Sequence, residues 1–255
     1  AAASLACAIG PSDPRALLRQ ARQSFRCVTP DKLRFEDLQD NSPDPSVCAV
    51  SVPIELGCCD AFVSHSWHDD VGAKWQALQA WRASFKKTAR REPRLWIDKF
   101  CIDQRNIEVD LRCLPVFLGG CKKLMILCGT TYLSRLWCVM ELFIYLMMGA
   151  RLEDIDLIPI VPGSDDHEDA MVEILETFQQ FDAAVCSCSL ESDKRRMLMV
   201  IESGFGSLRA FSKHISLVLV RLSCEVRCEI SDVVRERTWA SDDTSDSDSS
   251  SGDAN

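Results

Sequence analysis

The sequence predicts an α/β protein built on a doubly wound parallel sheet with helices on both faces. Three observations predict it. Short apolar strands alternate with helical stretches at βαβ spacing. The later strands, LMILC and LIPIV, are continuously apolar, as strands covered on both faces must be. The polar loops that follow the strands would all lie along one edge of such a sheet.

Residues 12–26 read as a short amphipathic helix, with Leu17, Leu18, Ala21 and Phe25 at helical spacing. Residues 27–56, rich in Pro and Asp, read as an extended connection, so 1–56 form an N-terminal helix and linker. The doubly wound domain is expected over 57–223. Its first strand is Asp60-Ala61-Phe62-Val63-Ser64, followed by the loop His65-Ser66-Trp67-His68-Asp69-Asp70. A helix over 73–87 carries Trp75, Leu78, Trp81 and Phe85 on one side. A second strand covers 94–98 and ends at Asp98, and a weaker helix covers 103–118. Gly119 and Gly120 stop that helix before a third strand at 123–128. Ser134 can cap a helix running to Met148, which Gly149 ends. A fourth strand over 156–161 closes at Pro162-Gly163. Helices follow at 166–181 and 191–203, while 215–220 (ISLVLV) fits either a strand or part of a helix over 205–223. Residues 224–240 are a C-terminal connection. The last segment, 241–255, holds five Asp and no base, so it is expected to be a disordered acidic Ser/Asp tail.

Composition narrows the function. A net charge of -9 argues against a broad nucleic-acid surface, which needs a basic stripe. The most hydrophobic stretch, Leu136–Ala150, is 15 residues long and carries Glu141, so it suits a core helix better than a membrane span. The 14 cysteines lie in apolar stretches and read as reduced, buried hydrophobes of a cytoplasmic protein. None has paired CxxC spacing, so no metal site is expected. GxGxxG, GxxxxGK[ST] and GxSxG are all lacking, which disfavours a Rossmann dinucleotide site, a P-loop and a hydrolase elbow. His65 and His68 could act as bases, but surface or capping roles suit them better.

Glu141 is the one charged residue between Leu136 and Ala150. Trp137 and Tyr145 lie one turn to either side of it, beside the apolar stripe Leu136, Met140, Phe143 and Met147. A lone carboxyl among bulky apolar groups should be desolvated, with its pKa raised. The alternative is a structural ion pair with Lys122, Lys123 or an Arg at the helix edge.

DAFVSHSW at 60–67, the strand ending in Asp98, KLMILC at 123–128 and SRLWCVMEL at 134–142 together resemble the Toll/interleukin receptor (TIR) domain. LWIDKFCIDQ at 95–104 is also similar to the WIDxxCIDQ motif of fungal heterokaryon-incompatibility (HET) domains. The resemblance covers residues 57–163 well and 164–223 by topology alone. Residues 99–110 depart from the family in having no glycine. The resemblance implies a flavodoxin-like fold, self-association, and in some members cleavage of NAD+ by hydrolysis or cyclisation. NAD+ would then be substrate, with no further cofactor. Glu141 matches the catalytic carboxylate of such members and Trp137 the Trp of the same motif. Trp137 or Trp67 is expected to pack on the substrate rings, with Ser64, Ser66 and Asp98 binding riboses or phosphates. The other reading is a non-catalytic, self-associating interaction module.

Overall fold

The structure is a computed structural model of the chain that describes residues 13–39, 42, 44, 46–103, 107–161 and 167–224. The expected acidic tail, 241–255, and the expected C-terminal connection, 224–240, apart from Cys224, lie outside the described residues.

Helix α1 (Pro14–Ser24) starts where Asp13 accepts hydrogen bonds from the amides of Arg15 and Ala16. It buries Leu17 and Ala21. The stretch expected to be an extended connection is instead a folded part of the core. It contains β1 (Arg26–Cys27) and β2 (Val52–Pro53), which pair antiparallel, and three 3₁₀ turns. Phe25, Val28, Leu33 and Leu38 are buried, and Phe25 stacks on Phe117 at 5.7 Å. Apolar residues interspersed among the Pro and Asp account for this: burying each contributes on the order of 1.5–3 kcal/mol.

The main sheet has four parallel strands in the order β4-β3-β5-β6. These are β3 (Cys59–His65), β4 (Leu95–Trp96), β5 (Cys121–Cys128) and β6 (Ile155–Pro159). Between them run α2 (Val71–Ala89), the short turn α3 (Asp98–Cys101), α4 (Ile107–Gly119) and α5 (Leu136–Met147). The β3–β4 connection crosses the sheet one way, and the next two cross it the other way. Right-handed crossovers therefore put α2 on one face and α4 and α5 on the other. Aromatic packing seals the α4 face: Phe62 stacks on Trp96 at 4.3 Å, and Trp96 meets Phe117 at 5.7 Å. Ser64 follows Phe62 by two residues, so it points to the same face.

Two expectations change at this level, and a third point left open between strand and helix is decided. The strand expected over 94–98 is only Leu95–Trp96, because Asp98 opens the helical turn α3. Ser134 does not cap α5. It ends a 3₁₀ turn and donates its hydroxyl to Thr131 O at 2.7 Å, and Arg135 is the N-cap residue without a side-chain cap bond. The free amide of Leu136 finds Ser187 O instead, at 2.9 Å, from a segment that crosses the helix start. Residues 215–220 are helical, within a helix α8 over 208–224. Phe211, Ile215, Leu219 and Leu222 are buried while Leu217 is 61% exposed, a 3.6-residue stripe that an edge strand would not produce. The two helices before it are α6 (His167–Gln179) and α7 (Glu191–Phe205). Phe143 of α5 packs edge-on against Phe205 and Phe211.

No helix among the described residues is long and apolar enough to cross a membrane. The 12 described cysteines are free thiols, most of them buried, as the sequence suggested.

Candidate functional site

In a doubly wound sheet the strand order reverses at a switch point, and the crevice beyond the carboxyl ends of the two strands there collects the loops. Here that point lies between β3 and β5, whose registers run Ser64 to Ile126 and His65 to Leu127. β3 delivers Ser64, His65, Ser66 and Trp67 to it. β5 delivers Gly129 to Tyr132, β4 delivers Asp98, and α5 lays Glu141 across from β3.

Glu141 meets Ser64 directly: Ser64 Oγ lies 2.5 Å from Glu141 Oε2. Ser64 Oγ also lies 2.7 Å from the Tyr132 hydroxyl, which donates to Cys138 O at 3.2 Å. Ser64 and Tyr132 are fully buried, and Glu141 is part-buried. Burial pushes the Glu141 carboxyl up to about 8; the Ser64 bond lowers it somewhat and the Asp98 charge adds to the rise. The ion pair weighed from sequence does not form among the described residues: Lys122 binds Asp60 and Lys123 binds Asp156 at the opposite edge of the sheet, and no Arg pairs with Glu141 there.

Asp98 is a second carboxylate of contrasting character. It accepts Trp67 Nε1 at 3.0 Å and the Lys99 amide at 2.7 Å, and its side chain is 39% exposed. Its burial would raise its pKa, but His65, the Trp67 indole and the Lys99 amide outweigh that and hold it below the usual carboxylate range. His65 Nε2 stands 3.6 Å from Asp98 Oδ1, an electrostatic contact beyond hydrogen-bond length. The imidazole is buried, edge-on to Trp67 at 4.5 Å, and neither ring nitrogen is hydrogen-bonded among the described residues. The Trp67 ring already carries two ammonium groups, Lys74 Nζ at 5.5 Å and Lys99 Nζ at 5.6 Å from its centroid. Lys74 is 2% exposed and donates to Ser66 O at 2.9 Å. Burial pushes its pKa down, against the pull of Asp69, Asp98 and Asp70.

Asp69 pins the two loops together. Its carboxylate accepts the Thr131 amide at 2.9 Å, the Thr131 hydroxyl at 2.7 Å and the Gly129 amide at 3.2 Å. A Cβ on Gly129 would lie 2.4 Å from the Asp69 carboxyl carbon, so this approach requires glycine. Ser66 Oγ contacts Thr131 Oγ1 at 2.7 Å and accepts the His68 amide at 3.2 Å.

Of the residues singled out from sequence, the fold brings Ser64 to Glu141 and Trp67 to Asp98. Ser66 is 1% exposed and serves the loop, so it is a structural hydroxyl rather than an open contact for riboses or phosphates. Trp137 is part-buried against the core one turn before Glu141, and no ring contact or hydrogen bond links it to the other site residues. Sequence reasoning missed Tyr132, Asp69, Lys74 and Gly129. Tyr132 carried a faint signal, as one of two tyrosines in the chain. Among the described residues no group of three or more His, Cys, Asp or Glu is placed to hold a metal ion. No protein-family model, curated protein or solved structure matches the chain.

Proposed function

We propose that the chain is a TIR-like signalling domain that cleaves the nicotinamide–ribose bond of NAD+, with Glu141 as the catalytic carboxylate. The observation that carries this reading is a part-buried, desolvated acid at the switch point, bonded to a hydroxyl and facing no cation among the described residues. Such an acid is poorly stabilised when ionised, and a bound cationic ring or a developing oxocarbenium ion supplies what it lacks. Nicotinamide leaves with the bonding electron pair and becomes neutral, so it needs no general acid. Water then adds to the ribose carbon and releases a proton, giving ADP-ribose, nicotinamide and H+. Asp98, partly exposed and firmly ionised, suits hydrogen bonds to a ribose. Trp67, bonded to Asp98, and Trp137, one turn before Glu141, are the aromatic residues this reading assigns to the substrate rings. Self-association in a cytoplasmic signalling response belongs to the same reading, which rests there on the family resemblance.

A non-catalytic, self-associating module is the second reading. It is favoured by the closure of the Glu141–Ser64–Tyr132 contacts, which satisfy the carboxyl without a ligand. An NAD+-consumption assay on pure protein, dilute and crowded, separates the two. Turnover with kcat/KM rising through about pH 8 is expected, because that ratio follows ionisation of the free protein's base. Protein inert even when assembled overturns the hydrolase reading in favour of the module.

A further inference from the structure

Three oxygen–oxygen contacts run in a chain from Glu141 into α5. Glu141 Oε2 meets Ser64 Oγ at 2.5 Å, Ser64 Oγ meets the Tyr132 oxygen at 2.7 Å, and the Tyr132 oxygen meets the Cys138 carbonyl at 3.2 Å. Each hydrogen bond needs one proton. A serine hydroxyl has one, a phenol has one, and a carbonyl has none. The Tyr132 proton must go to the Cys138 carbonyl, which can only accept. The Tyr132 oxygen must therefore accept from Ser64, and that spends the Ser64 proton. The Cys138 thiol does not fill the gap, because it gives its proton to His65 O at 3.3 Å. The third proton belongs to Glu141.

We propose that Glu141 rests as a neutral acid donating to Ser64, and that Tyr132 is a positioning residue that holds it so by directing the Ser64 proton away from the carboxyl. This deepens the reading of Glu141 given above and rests on it only for the kinetic consequence. Ionisation leaves two protons for three contacts. Ser64 must then turn to the carboxylate, and Tyr132 keeps either Ser64 or Cys138 O. One hydrogen bond is lost in a buried place, where an unmade bond is costly. The groups around the acid act in the same direction. Asp98, at the start of α3, adds negative charge, and burial keeps the Tyr132 and Cys138 protons on through neutral pH. For the reaction, ionisation of Glu141 would have to accompany substrate binding, with its proton released to solvent as the two hydroxyls reverse.

The test needs no substrate. Protein labelled with ¹³C at the glutamate side-chain carboxyl is titrated by NMR, and the Glu141→Gln variant identifies the Glu141 peak. The wild type is expected to show a protonated carboxyl at pH 7 that titrates near 8. Tyr132→Phe frees the Ser64 proton for the carboxylate, so the midpoint should fall by about one unit, the worth of one hydrogen bond. Ser64→Ala removes the donor that ionisation would recruit, so the midpoint should hold or rise. Opposite behaviour in the two variants is the signature, since general loosening of the site would lower both. A wild-type carboxylate at pH 7, an unmoved midpoint in folded Tyr132→Phe, or a fall in Ser64→Ala would overturn the proposal. If Tyr132→Phe fails to fold, the wild-type signal decides alone. A neutral Glu141 in a protein that leaves NAD+ intact keeps this inference and removes the hydrolase reading.

Discussion

The two edges of the sheet each hold a carboxyl withdrawn from water, and the two behave in opposite ways. At the amino edge Asp60 is 4% exposed and is gripped by Arg91 through two bonds of 2.6 and 2.7 Å. The Arg94 amide at 3.0 Å and Lys122 at 3.3 Å complete its surroundings. Burial pushes this acid up, but those donors outweigh it, and its pKa lies below the usual range. At the carboxyl edge Glu141 has one hydroxyl and no cation among the described residues, and burial wins. The contrast teaches that burial sets the size of the penalty on a buried charge, whereas the charges within reach decide its sign. The amino edge also opens into a cleft of about 510 Å³ lined by Trp81, Phe85, Arg91 and both acids, Asp60 and Asp156. Every one of its ionic groups has a partner, which marks it as an edge built for cohesion. Glu141, by contrast, keeps an unmet preference for positive charge.

The sharpest way to break that contrast is Glu141→Gln in the NAD+ assay. Turnover is expected to fall at least ~10³-fold, the scale of losing a principal electrostatic group, while the circular dichroism spectrum stays that of the wild type. Turnover retained by the folded variant would leave Glu141 no different in kind from Asp60.

Stability against pH comes next. The folded pKa of Glu141, about 8, lies above its ordinary value of 4.5. Between those values the folded state keeps a proton that the unfolded state has released, so this group's contribution falls as pH rises from about 4.5 to 8. A glutamine in its place has no proton to release and is free of that loss. Urea unfolding should show Glu141→Gln gaining on wild type by roughly 2–4 kcal/mol between about pH 5 and pH 8; parallel curves would show that the carboxyl is not perturbed.

Asp60→Ala tests the other edge. It should cost about 2 kcal/mol at pH 7, since it breaks a buried acid away from cations that can return to water. The linkage sign is reversed here. The Asp60 contribution is present above its ordinary pKa of 3.8 and fades as pH falls through the lower folded value, so the variant's deficit should shrink in acid. A deficit that grows in acid would contradict the assignment. The smallest effect expected is from Trp81→Phe, which loses the 2.8 Å indole bond to Asp156 and about 1 kcal/mol in urea unfolding. NAD+ turnover should not change in either amino-edge variant.

Much of this was legible in the chain. Short continuous apolar runs located the strands of the sheet and period-3.6 patterns its helices, and their alternation implied a parallel, doubly wound arrangement. Glu141 was conspicuous as one charge in an apolar helix. The stretch 27–56 misled because Pro and Asp dominate its composition, although Val28, Leu33 and Leu38 are what the core takes from it. The cap of α5 misled because Ser134 offers a local hydroxyl, yet the helix start is met by Ser187 from a distant segment.

By itself the sequence determined the alternation of strands and helices in the sheet, their order and the desolvated position of one acid, because periodicity and hydrophobicity are local properties of neighbouring residues. The tertiary structure alone decided what that acid touches. Ser64 is 77 residues from Glu141, and Asp69 is 60 from Gly129. Sequence spacing carries no record of such pairings. They arise because strand order brings the ends of β3 and β5 together, and the side chains meeting there decide where each proton and each charge resides.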